Sequence, residues 1–212
     1  MNEKVDLSFA LKGAVIPADH GYMLFSALTR VFENIHSIYN TGIHNISGEP
    51  IANRLLKLSA KSRLTFRLDS EIINLLLPLA GKYLNLGGHE IMIGTPQTYL
   101  LKPVPRLYSR LVVIKGYMEP DEFLEAAEAQ LSSMSIKGRP SLITLSGTDN
   151  NTSGKGTRSA FLRRTIRISG KEVVGFALGV NGLNAEESIT LQENGIGGRR
   201  HFGCGLFIPD RR

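Results

Sequence analysis

Hydrophobic and polar residues alternate along positions 5–17, VDLSFALKGAVIP, and this period of two predicts a β-strand that ends at Pro17. The next segment, positions 21–40, changes to helical spacing, with apolar residues at 24, 25, 28, 31, 32, 35 and 38. This spacing predicts one amphipathic helix, for which Asp19 is the expected N-cap. A strand followed by a helix indicates a mixed fold rather than an all-β or all-α one.

The rest of the first hundred residues continues the alternation of strands and a helix. The sequence predicts a short strand at 42–47, strand material at 55–69 that bends near Ser59, a short helix at 69–82 and a hairpin at 83–101. Asp69 or Ser70 is the expected helix cap, and Gly87-Gly88 is a favoured pair for the hairpin turn. The order of elements is therefore β-α-β-β-α-β.

The second half repeats this order. It predicts strands at 106–117, 139–147, 160–169, 172–180 and 202–209, and helices at 119–134 and 184–195. Asn184 and Glu187 form a capping-box pattern at the start of the last helix, and 146–159 is a polar loop. Two successive βαββαβ units predict an α+β protein of two ferredoxin-like (RRM-like) domains, 1–103 and 104–212, joined at Pro103-Val104-Pro105.

The placement of charge favours a polyanionic partner. The 212 residues carry 25 Lys and Arg against 19 Asp and Glu, a net charge of +6. Acids concentrate at 119–130, and the last third is basic, with Arg158, Arg163, Arg164, Arg167, Lys171, Arg199, Arg200, Arg211 and Arg212. This distribution is typical of nucleic-acid binding, with a merely solvated basic face as the alternative.

Two further features limit the cellular setting. A single cysteine excludes an internal disulfide framework and favours a reducing, cytoplasmic location. No run of about eighteen apolar residues is present, so neither a membrane span nor a membrane partner is expected.

The stretch GIGGRRHFGCG, residues 195–205, is here called the glycine-rich loop. A dinucleotide fingerprint or a Walker loop must be followed by a helix, and the few residues after Gly205 leave no room for one. Glycine amides beside guanidinium groups can instead hold an anion, and a tight helix-to-strand connection is the structural alternative. The predicted anion-binding residues are Gly195, Gly197, Gly198, Arg199, Arg200, Gly203 and Gly205.

Several motifs in order carry a resemblance to a known family. They are IPADHGYMLFSALTR (16–30), NIHSIYNTGIHNISG (34–48), SRLVVIKGYMEPDEFLEAA (109–127) and the glycine-rich loop with its following FIP. Together they resemble the CRISPR repeat-processing endoribonucleases of the RAMP superfamily, in particular a compact group with DHGY and GIH elements. The resemblance implies metal-independent cleavage of precursor RNA within repeats, without a cofactor. In this reaction the 2′-hydroxyl attacks the adjacent phosphodiester and leaves a 2′,3′-cyclic phosphate, and the enzyme can stay bound to its product.

Three histidines in the first fifty residues are the candidate proton-transfer groups, because imidazole titrates near neutrality. His36 lies near the end of the predicted helix, where the resemblance places a catalytic histidine. His20 lies at the helix N-terminus, where the dipole disfavours its cationic form, and His44 lies on the next strand. For each of them a hydrogen-bonded structural role is the alternative.

The remaining candidates are less specific. Lys12, Arg30 or Lys61 could supply the cation at the phosphorane, and His89 and His201 are expected to contact solvent or RNA rather than transfer protons. The histidine spacing and the single cysteine predict no metal site.

Three arginines on the predicted strand 160–169 are expected to bind RNA, either a repeat hairpin or a single strand. Arg163 and Arg167 share one strand face and Arg164 lies on the other, although these arginines could simply solvate an edge strand. The sequence leaves a non-catalytic RNA-binding subunit of a CRISPR ribonucleoprotein, or a small-molecule-binding protein, as alternatives to the endoribonuclease. Other subunits of such a complex are further candidate partners, and the three N-terminal histidines favour the enzyme.

Overall fold

A computed structural model of the protein describes residues 3–32, 40–144, 161, 163–168 and 170–210. The chain forms two compact units. Unit 1 comprises Met1–Lys102, Ile166–Glu172 and Arg199–Cys204, and unit 2 comprises Pro103–Thr165, Val173–Gly198 and Gly205–Arg212. Two short segments from the second half of the chain therefore belong to unit 1, including six residues of the glycine-rich loop.

Unit 1 has a mixed set of strands and helices. They are β1 (Lys4–Lys12), β2 (Val15–Pro17), α1 (Gly21–Val31), β3 (Gly42–Ile43), β4 (Glu49–Ile51), β5 (Leu55–Lys57), β6 (Arg63–Asp69), α2 (Ile73–Leu76), β7 (Tyr83–Leu86) and β8 (His89–Leu100). The main sheet has the antiparallel order β3-β6-β1-β8-β7, and β2, β5 and β4 form a smaller sheet. Without β7, the order of the main sheet is that of a βαββαβ ferredoxin-like domain.

The alternation of β1 decides which face of this sheet packs on the helix. Leu7 and Phe9 are buried in one apolar core with Leu24 and Leu28 of α1. The intervening residues Asp6 and Ser8 point to the opposite face, because successive side chains of a strand alternate. One face of the sheet is therefore apolar, and the opposite face is polar.

Several details of unit 1 differ from the sequence predictions. The predicted strand at 5–17 is two strands, β1 and β2, which lie in different sheets. His20, not Asp19, is the N-cap residue of α1, and it makes no side-chain capping bond. The predicted helix at 69–82 is broken into the 3₁₀ turn Ser70–Ile72, the single α-helical turn α2 and the 3₁₀ turn Leu77–Leu79. Pro78 lacks an N–H group and so cannot continue the α-helical hydrogen bonds. The predicted Gly87-Gly88 turn between β7 and β8 is confirmed, and both glycines have positive φ.

Unit 2 is built mainly from the second half of the chain. Its elements are β9 (Arg106–Val112), α3 (Pro120–Ser133), β10 (Arg139–Leu142), β11 (Arg163–Ile168), β12 (Lys171–Asn181), α4 (Ala185–Asn194) and β13 (Ile208–Pro209). The C-terminal end of β11 and the N-terminal end of β12 belong to unit 1. The sheet order is β10-β12-β9-β13, with β11 paired to β12. This is again the ferredoxin-like order, so the predicted tandem fold is confirmed.

The helix boundaries of unit 2 follow local sequence closely. Asn184 caps α4 and Glu187 bonds back to it, so the predicted capping box is confirmed. The predicted final strand at 202–209 is wrong for its first part, since only Ile208–Pro209 is a strand. Gly203 and Gly205 have φ of 79° and 67°, which is left-handed backbone and cannot continue a strand.

No helix in the described part of the chain is long and apolar enough to cross a membrane.

Candidate functional site

The glycine-rich loop begins where α4 ends. Gly195 stops the helix with a φ of 62°, and its amide donates to the carbonyl of Leu191 at 2.9 Å. Two further amides of the loop also donate to groups of unit 2. The amide of Gly197 donates to Oε1 of Gln130 at 2.8 Å, and the amide of Gly198 donates to the carbonyl of Val113 at 3.0 Å. The first part of the loop is therefore fixed by hydrogen bonds within unit 2.

The end of the loop is fixed in the same way. The amides of Phe202 and Cys204 donate to the carbonyl of Arg199, that of Gly203 to Arg200, and that of Gly205 to Leu111. The sequence predicted a long strip of amides available to an anion, and this is wrong for most of the loop. Glycines allow the tight turns, but the same turns bring carbonyl oxygens close enough to accept those amides.

In the glycine-rich loop, the amides of Arg199 and Arg200 donate no hydrogen bond to the described part of the chain. Arg199 has left-handed backbone, φ 65° and ψ 37°, and Arg200 begins the 3₁₀ turn Arg200–Phe202. A left-handed residue followed by a right-handed one turns successive N–H groups to the same side, which is the geometry of an anion-binding nest. The nest carries the two guanidinium groups that the sequence singled out.

Aromatic contacts hold the segment Arg199–Cys204 against α1 within unit 1. The ring of Phe202 lies 5.8 Å from that of Tyr22 and 5.3 Å from that of Phe25, measured between centroids. The His201 ring lies 5.3 Å from Phe25. Such contacts add stability beyond the buried area, so the nest is presented on a packed surface.

The backbones also approach closely at two glycines. A Cβ on Gly21 would lie 2.6 Å from the carbonyl oxygen of Phe202, and a Cβ on Gly203 would overlap the side chain of Asn45. The Asn45 amide donates to the carbonyl of Gly203 at 3.2 Å. Only glycine fits at these positions without displacement of the Phe202 carbonyl or the Asn45 side chain.

His20 is fully buried and both of its ring nitrogens are occupied. Nδ1 lies 2.9 Å from the carbonyl oxygen of Pro17, and Nε2 accepts the amide of Ile46 at 2.9 Å. An acceptor at Nε2 and a carbonyl at Nδ1 define a neutral imidazole with its proton on Nδ1. In this arrangement the ring joins β2 to the segment after β3 and has no nitrogen available for proton transfer.

His44 lies in a charged cluster on the polar face of the sheet. Its Nε2 is 3.6 Å from Oδ1 of Asp6, and 15% of its side chain is exposed. Arg67, 2% exposed, donates through Nε and one terminal nitrogen to the two Asp6 oxygens, each at 2.8 Å. This bidentate geometry is the strongest form of a carboxylate–guanidinium pair.

The cluster sets the protonation states of its members. Burial alone would raise the pKa of Asp6, but His44 and Arg67 outweigh it, and the pKa of Asp6 is far below its ordinary value. Burial, aided by the charge of Arg67, lowers the pKa of His44 below 6.5, against the opposing effect of Asp6. At neutral pH the cluster therefore holds an ionised Asp6 beside a neutral imidazole.

The only cysteine is inert. Cys204 is fully buried, and burial raises the pKa of its thiol to about 12, with Arg199 opposing and Asp19 adding to the shift. Burial also lowers the pKa of Arg200, whose guanidinium stays charged at neutral pH.

Comparison with known proteins decides the family. A family model described as Cas6 Crispr matches residues 5–212. A CRISPR-associated endonuclease Cas6 from Myxococcus xanthus (strain DK1622) is 38% identical over 208 residues, 98% of this chain and 82% of that protein. The chain belongs to the Cas6 family. The predicted resemblance is confirmed by this membership, and with it the prediction of a CRISPR endonuclease rather than a small-molecule-binding protein.

Solved structures of Cas6 proteins share the fold. A CRISPR associated protein Cas6 superimposes with a TM-score of 0.64 at 11% identity, covering 99% of this chain and all of that one. A RAMP protein binding different RNA substrates gives 0.63 at 12% identity, with 97% and 98% covered. A Cas6-related protein from Pyrococcus furiosus gives 0.62 at 14% identity, also with 97% and 98% covered.

The structure of this Cas6 family member places the other predicted residues as follows. His36 lies outside the described residues. Arg163 and Arg167 are exposed on β11 and Arg164 is half-buried on its other face, as the alternation predicted. The candidate cations Lys12, Arg30 and Lys61 are exposed, and His89 is half-buried after the β7–β8 turn. The described residues contain no group of three or more His, Cys, Asp or Glu that could hold a metal ion.

Four residues of the site were not identified from the sequence. Asn45 and Gln130 hold the glycine-rich loop, and Asp6 and Arg67 surround His44. Asp6 and Arg67 are polar residues within strands in which polar and apolar residues alternate, and this pattern alone suggests that they are exposed to solvent. Only their pairing in the β1–β6 register reveals the cluster.

Proposed function

We propose that this Cas6 family member cleaves CRISPR precursor RNA within repeats, without a metal ion, by attack of a 2′-hydroxyl on the adjacent phosphodiester. The oxygen of the 2′-hydroxyl forms a bond to phosphorus while the bond to the 5′-oxygen breaks. A base must take the proton of the 2′-hydroxyl, and an acid must give a proton to the 5′-oxygen. The products are a 2′,3′-cyclic phosphate and a 5′-hydroxyl.

The observation that carries the proposal is the hydrogen bond from Asn45 to Gly203. Asn45 follows His44 directly in the chain, so this contact places the backbone beside His44 against the segment that carries the Arg199–Arg200 nest. Both belong to unit 1. Transition-state charge on the oxygens of a phosphate held by the nest would be met by amides and guanidinium groups fixed beforehand.

We assign proton transfer to His44 and His36. The lowered pKa of His44 keeps its imidazole neutral and therefore able to accept a proton at neutral pH. With Nε2 turned to Asp6, the proton would be accepted at Nδ1, and Asp6 would stabilise the imidazolium that forms. His20 is assigned a positioning role, because both of its ring nitrogens are already bonded.

RNA is the proposed partner, held through its phosphates. Arg163 and Arg167 form the exposed basic face of β11, where phosphate contacts cost little desolvation. Arg164 faces the other way and is expected to contribute less. A repeat hairpin or a single strand would both fit this description, in the cytoplasm and alone or together with other subunits of a CRISPR complex.

The decisive test is cleavage of labelled repeat RNA under single-turnover conditions in excess EDTA. We expect cleavage to survive chelation and to stop when the attacking nucleotide is 2′-deoxy, while binding of that RNA is unchanged. His44→Ala and His36→Ala should each lower the rate at least a hundredfold, the usual contribution of a general base or acid. Cleavage of the 2′-deoxy RNA, or dependence on magnesium, would refute the mechanism.

A second measurement tests the RNA-binding assignments. Arg199→Ala and Arg200→Ala should weaken binding and cleavage, whereas Arg139→Ala, an exposed arginine of β10, serves as the matched control. Loss of Arg163 and Arg167 should reduce the salt dependence of binding by about 0.7–0.9 in slope per lost phosphate contact, more than loss of Arg164. Equal behaviour of all three β11 arginines would contradict the assignment to one face.

A further inference from the structure

A cavity lies in unit 1 beside the β4–β5 hairpin. Its volume is about 530 Å³, and its wall includes Ser47, Lys57, Ser59, Lys61 and Ser62. None of these residues takes part in the cluster around His44 or in the glycine-rich loop. We call it the serine–lysine pocket.

Hydrogen bonds among its serines fix the shape of the pocket. Ser62 is 1% exposed, and its hydroxyl donates to the carbonyl of Ser47 at 2.7 Å and accepts the amide of Ser59 at 3.0 Å. The hydroxyl of Ser59 accepts the amide of Lys61 at 3.2 Å. The turn that carries Lys61 is thereby tied to the segment that follows β3.

The floor of the pocket allows a close approach of two backbones. A Cβ on Gly48 would lie 2.7 Å from the carbonyl oxygen of Lys57, so any other residue would separate β5 from the segment at 47–48. The backbone on this side of the cavity is therefore closely packed.

The charge of the pocket favours an anion. Lys57 and Lys61 are exposed cations on its wall, and Glu49 is the acid among the lining residues. Although Glu49 and Lys57 are cross-strand neighbours, no ion pair joins them in the described part of the chain. Two ammonium groups beside the exposed hydroxyls of Ser47 and Ser59 suit a phosphate, to which lysine binds as a compact point charge.

The pocket begins close to the proposed reaction site. Ser47 follows Asn45 by two residues, and two residues of extended chain span at most about 7 Å. Asn45 contacts the glycine-rich loop and Ser47 contacts the pocket wall. One RNA strand that passes the loop can therefore place a second phosphate over the pocket.

We propose that the serine–lysine pocket binds a further phosphate of the RNA strand, distinct from the one held by Arg199 and Arg200. This inference rests on the proposed function, since it takes the same strand as ligand. Its role would be to fix the position of the strand along the site, and so the bond that is cleaved.

The test uses 2′-deoxy-blocked repeat RNA in which single phosphates are replaced, one at a time, by neutral methylphosphonates. Binding is measured by fluorescence anisotropy for the wild-type protein and for the Lys57→Met, Lys61→Met double variant. Methionine keeps the aliphatic length and removes the charge. Lys82→Met, Lys115→Met, two exposed lysines away from the pocket, is the matched control.

We expect the pocket variant to bind unmodified RNA roughly tenfold more weakly, and its salt slope to fall by about 0.7 per lost contact. One or two methylphosphonates that weaken wild-type binding should have no further effect on the variant, because the contact is already gone. The control variant should keep the wild-type pattern at every position.

The outcomes separate the two proposals. If the wild type binds and cleaves RNA but the pocket variant shows the complete wild-type methylphosphonate pattern, the pocket proposal is overturned and the proposed function stands. If the wild type fails to bind repeat RNA, both are overturned. Equal melting temperatures of variant and wild type ensure that a loss of binding reports the pocket and not the fold.

Discussion

His20 and His44 differ in what surrounds them, although both are mainly buried histidines of unit 1 on neighbouring stretches of sequence. His20 is enclosed by backbone groups, a carbonyl on one side and an amide on the other. His44 is enclosed by charged side chains, the carboxylate of Asp6 and the guanidinium of Arg67. A ring bonded at both nitrogens fixes structure, whereas a ring beside charges can change its protonation state.

The difference teaches that exposure alone does not identify a reactive histidine. Burial alone would suggest a functional role for His20. Its two hydrogen bonds, however, connect β2 to the residues after β3 and indicate a structural role. The surroundings of His44 instead set a pKa, which is the property that proton transfer needs. Four substitutions test this contrast, from the largest expected effect to the smallest.

The largest effect is expected for Asp6→Ala. The substitution leaves the buried Arg67 guanidinium without its carboxylate and should lower the free energy of unfolding by about 3–5 kcal/mol, measured by urea denaturation. Glu172→Ala is the matched control, because it breaks an ion pair with Arg167 whose side chains are 58% and 73% exposed. The control should cost less than about 1 kcal/mol. Similar losses in both variants would mean that the Asp6–Arg67 pair is effectively solvated.

His20→Ala should lower the free energy of unfolding by about 2–4 kcal/mol, because it opens a cavity and leaves the Ile46 amide and the Pro17 carbonyl unpaired. The rate of cleavage per folded molecule should fall much less than in His44→Ala. Denaturation curves and single-turnover rates on the same preparations separate the two quantities. A stable His20→Ala protein that has lost cleavage would reverse the roles assigned to the two histidines.

The free energy of unfolding should depend on pH through the titration of His44. Its pKa is lower in the folded protein than its ordinary 6.5, so between these two values the unfolded chain binds the additional proton. The contribution of the neutral His44 to the free energy of unfolding is then fully present above about pH 6.5 and is lost as the pH falls. The lowered pKa of Asp6 adds a further loss at more acidic pH, below its ordinary value of 3.8.

We therefore expect His44→Gln to flatten the decline in the free energy of unfolding below about pH 6.5, as followed by urea midpoints in a pH series. The variant and the wild type should converge as the pH falls. An unchanged slope in His44→Gln would show that another group titrates in this range.

The smallest effect is expected for Asp19→Ala, beside His20. Asp19 is not the N-cap of α1, and among the described residues its carboxylate accepts the amide of Arg167, at 3.3 Å. The loss should stay below about 0.5 kcal/mol, whereas Asn184→Ala, which removes the capping box of α4, should cost about 1–2 kcal/mol. The melting temperatures of both variants compare Asp19, which only resembles an N-cap in the sequence, with Asn184, which is one in the structure.

The parts of the fold that depend on neighbouring residues could be predicted from the sequence. The alternation of β1, the capping box of Asn184 and the Gly87-Gly88 turn each need only a few adjacent positions. The ferredoxin-like order followed because these local signals came in the same succession twice. The breaks were missed where a single residue overrode a longer pattern, as Pro78 did in the predicted helix at 69–82.

The chemistry of the site depends on residues far apart in the chain and was predicted only in part. The loop amides were expected to face an anion, but Gln130, Val113 and Leu111 accept several of them. Asp6 and Arg67 are separated by 61 positions and meet only through strand register. Residue types therefore identified the loop and the histidines, whereas the contacts that give each one its role required the structure.

The buried thiol of Cys204 has a practical consequence. A thiol with a pKa of about 12 and no exposure exists almost wholly in its unreactive protonated form at neutral pH. Maleimide dyes will therefore leave the wild-type protein unlabelled. A single cysteine introduced at the exposed Met23 will accept a fluorophore at one position, so strand arrival and release can be followed without removal of the native cysteine.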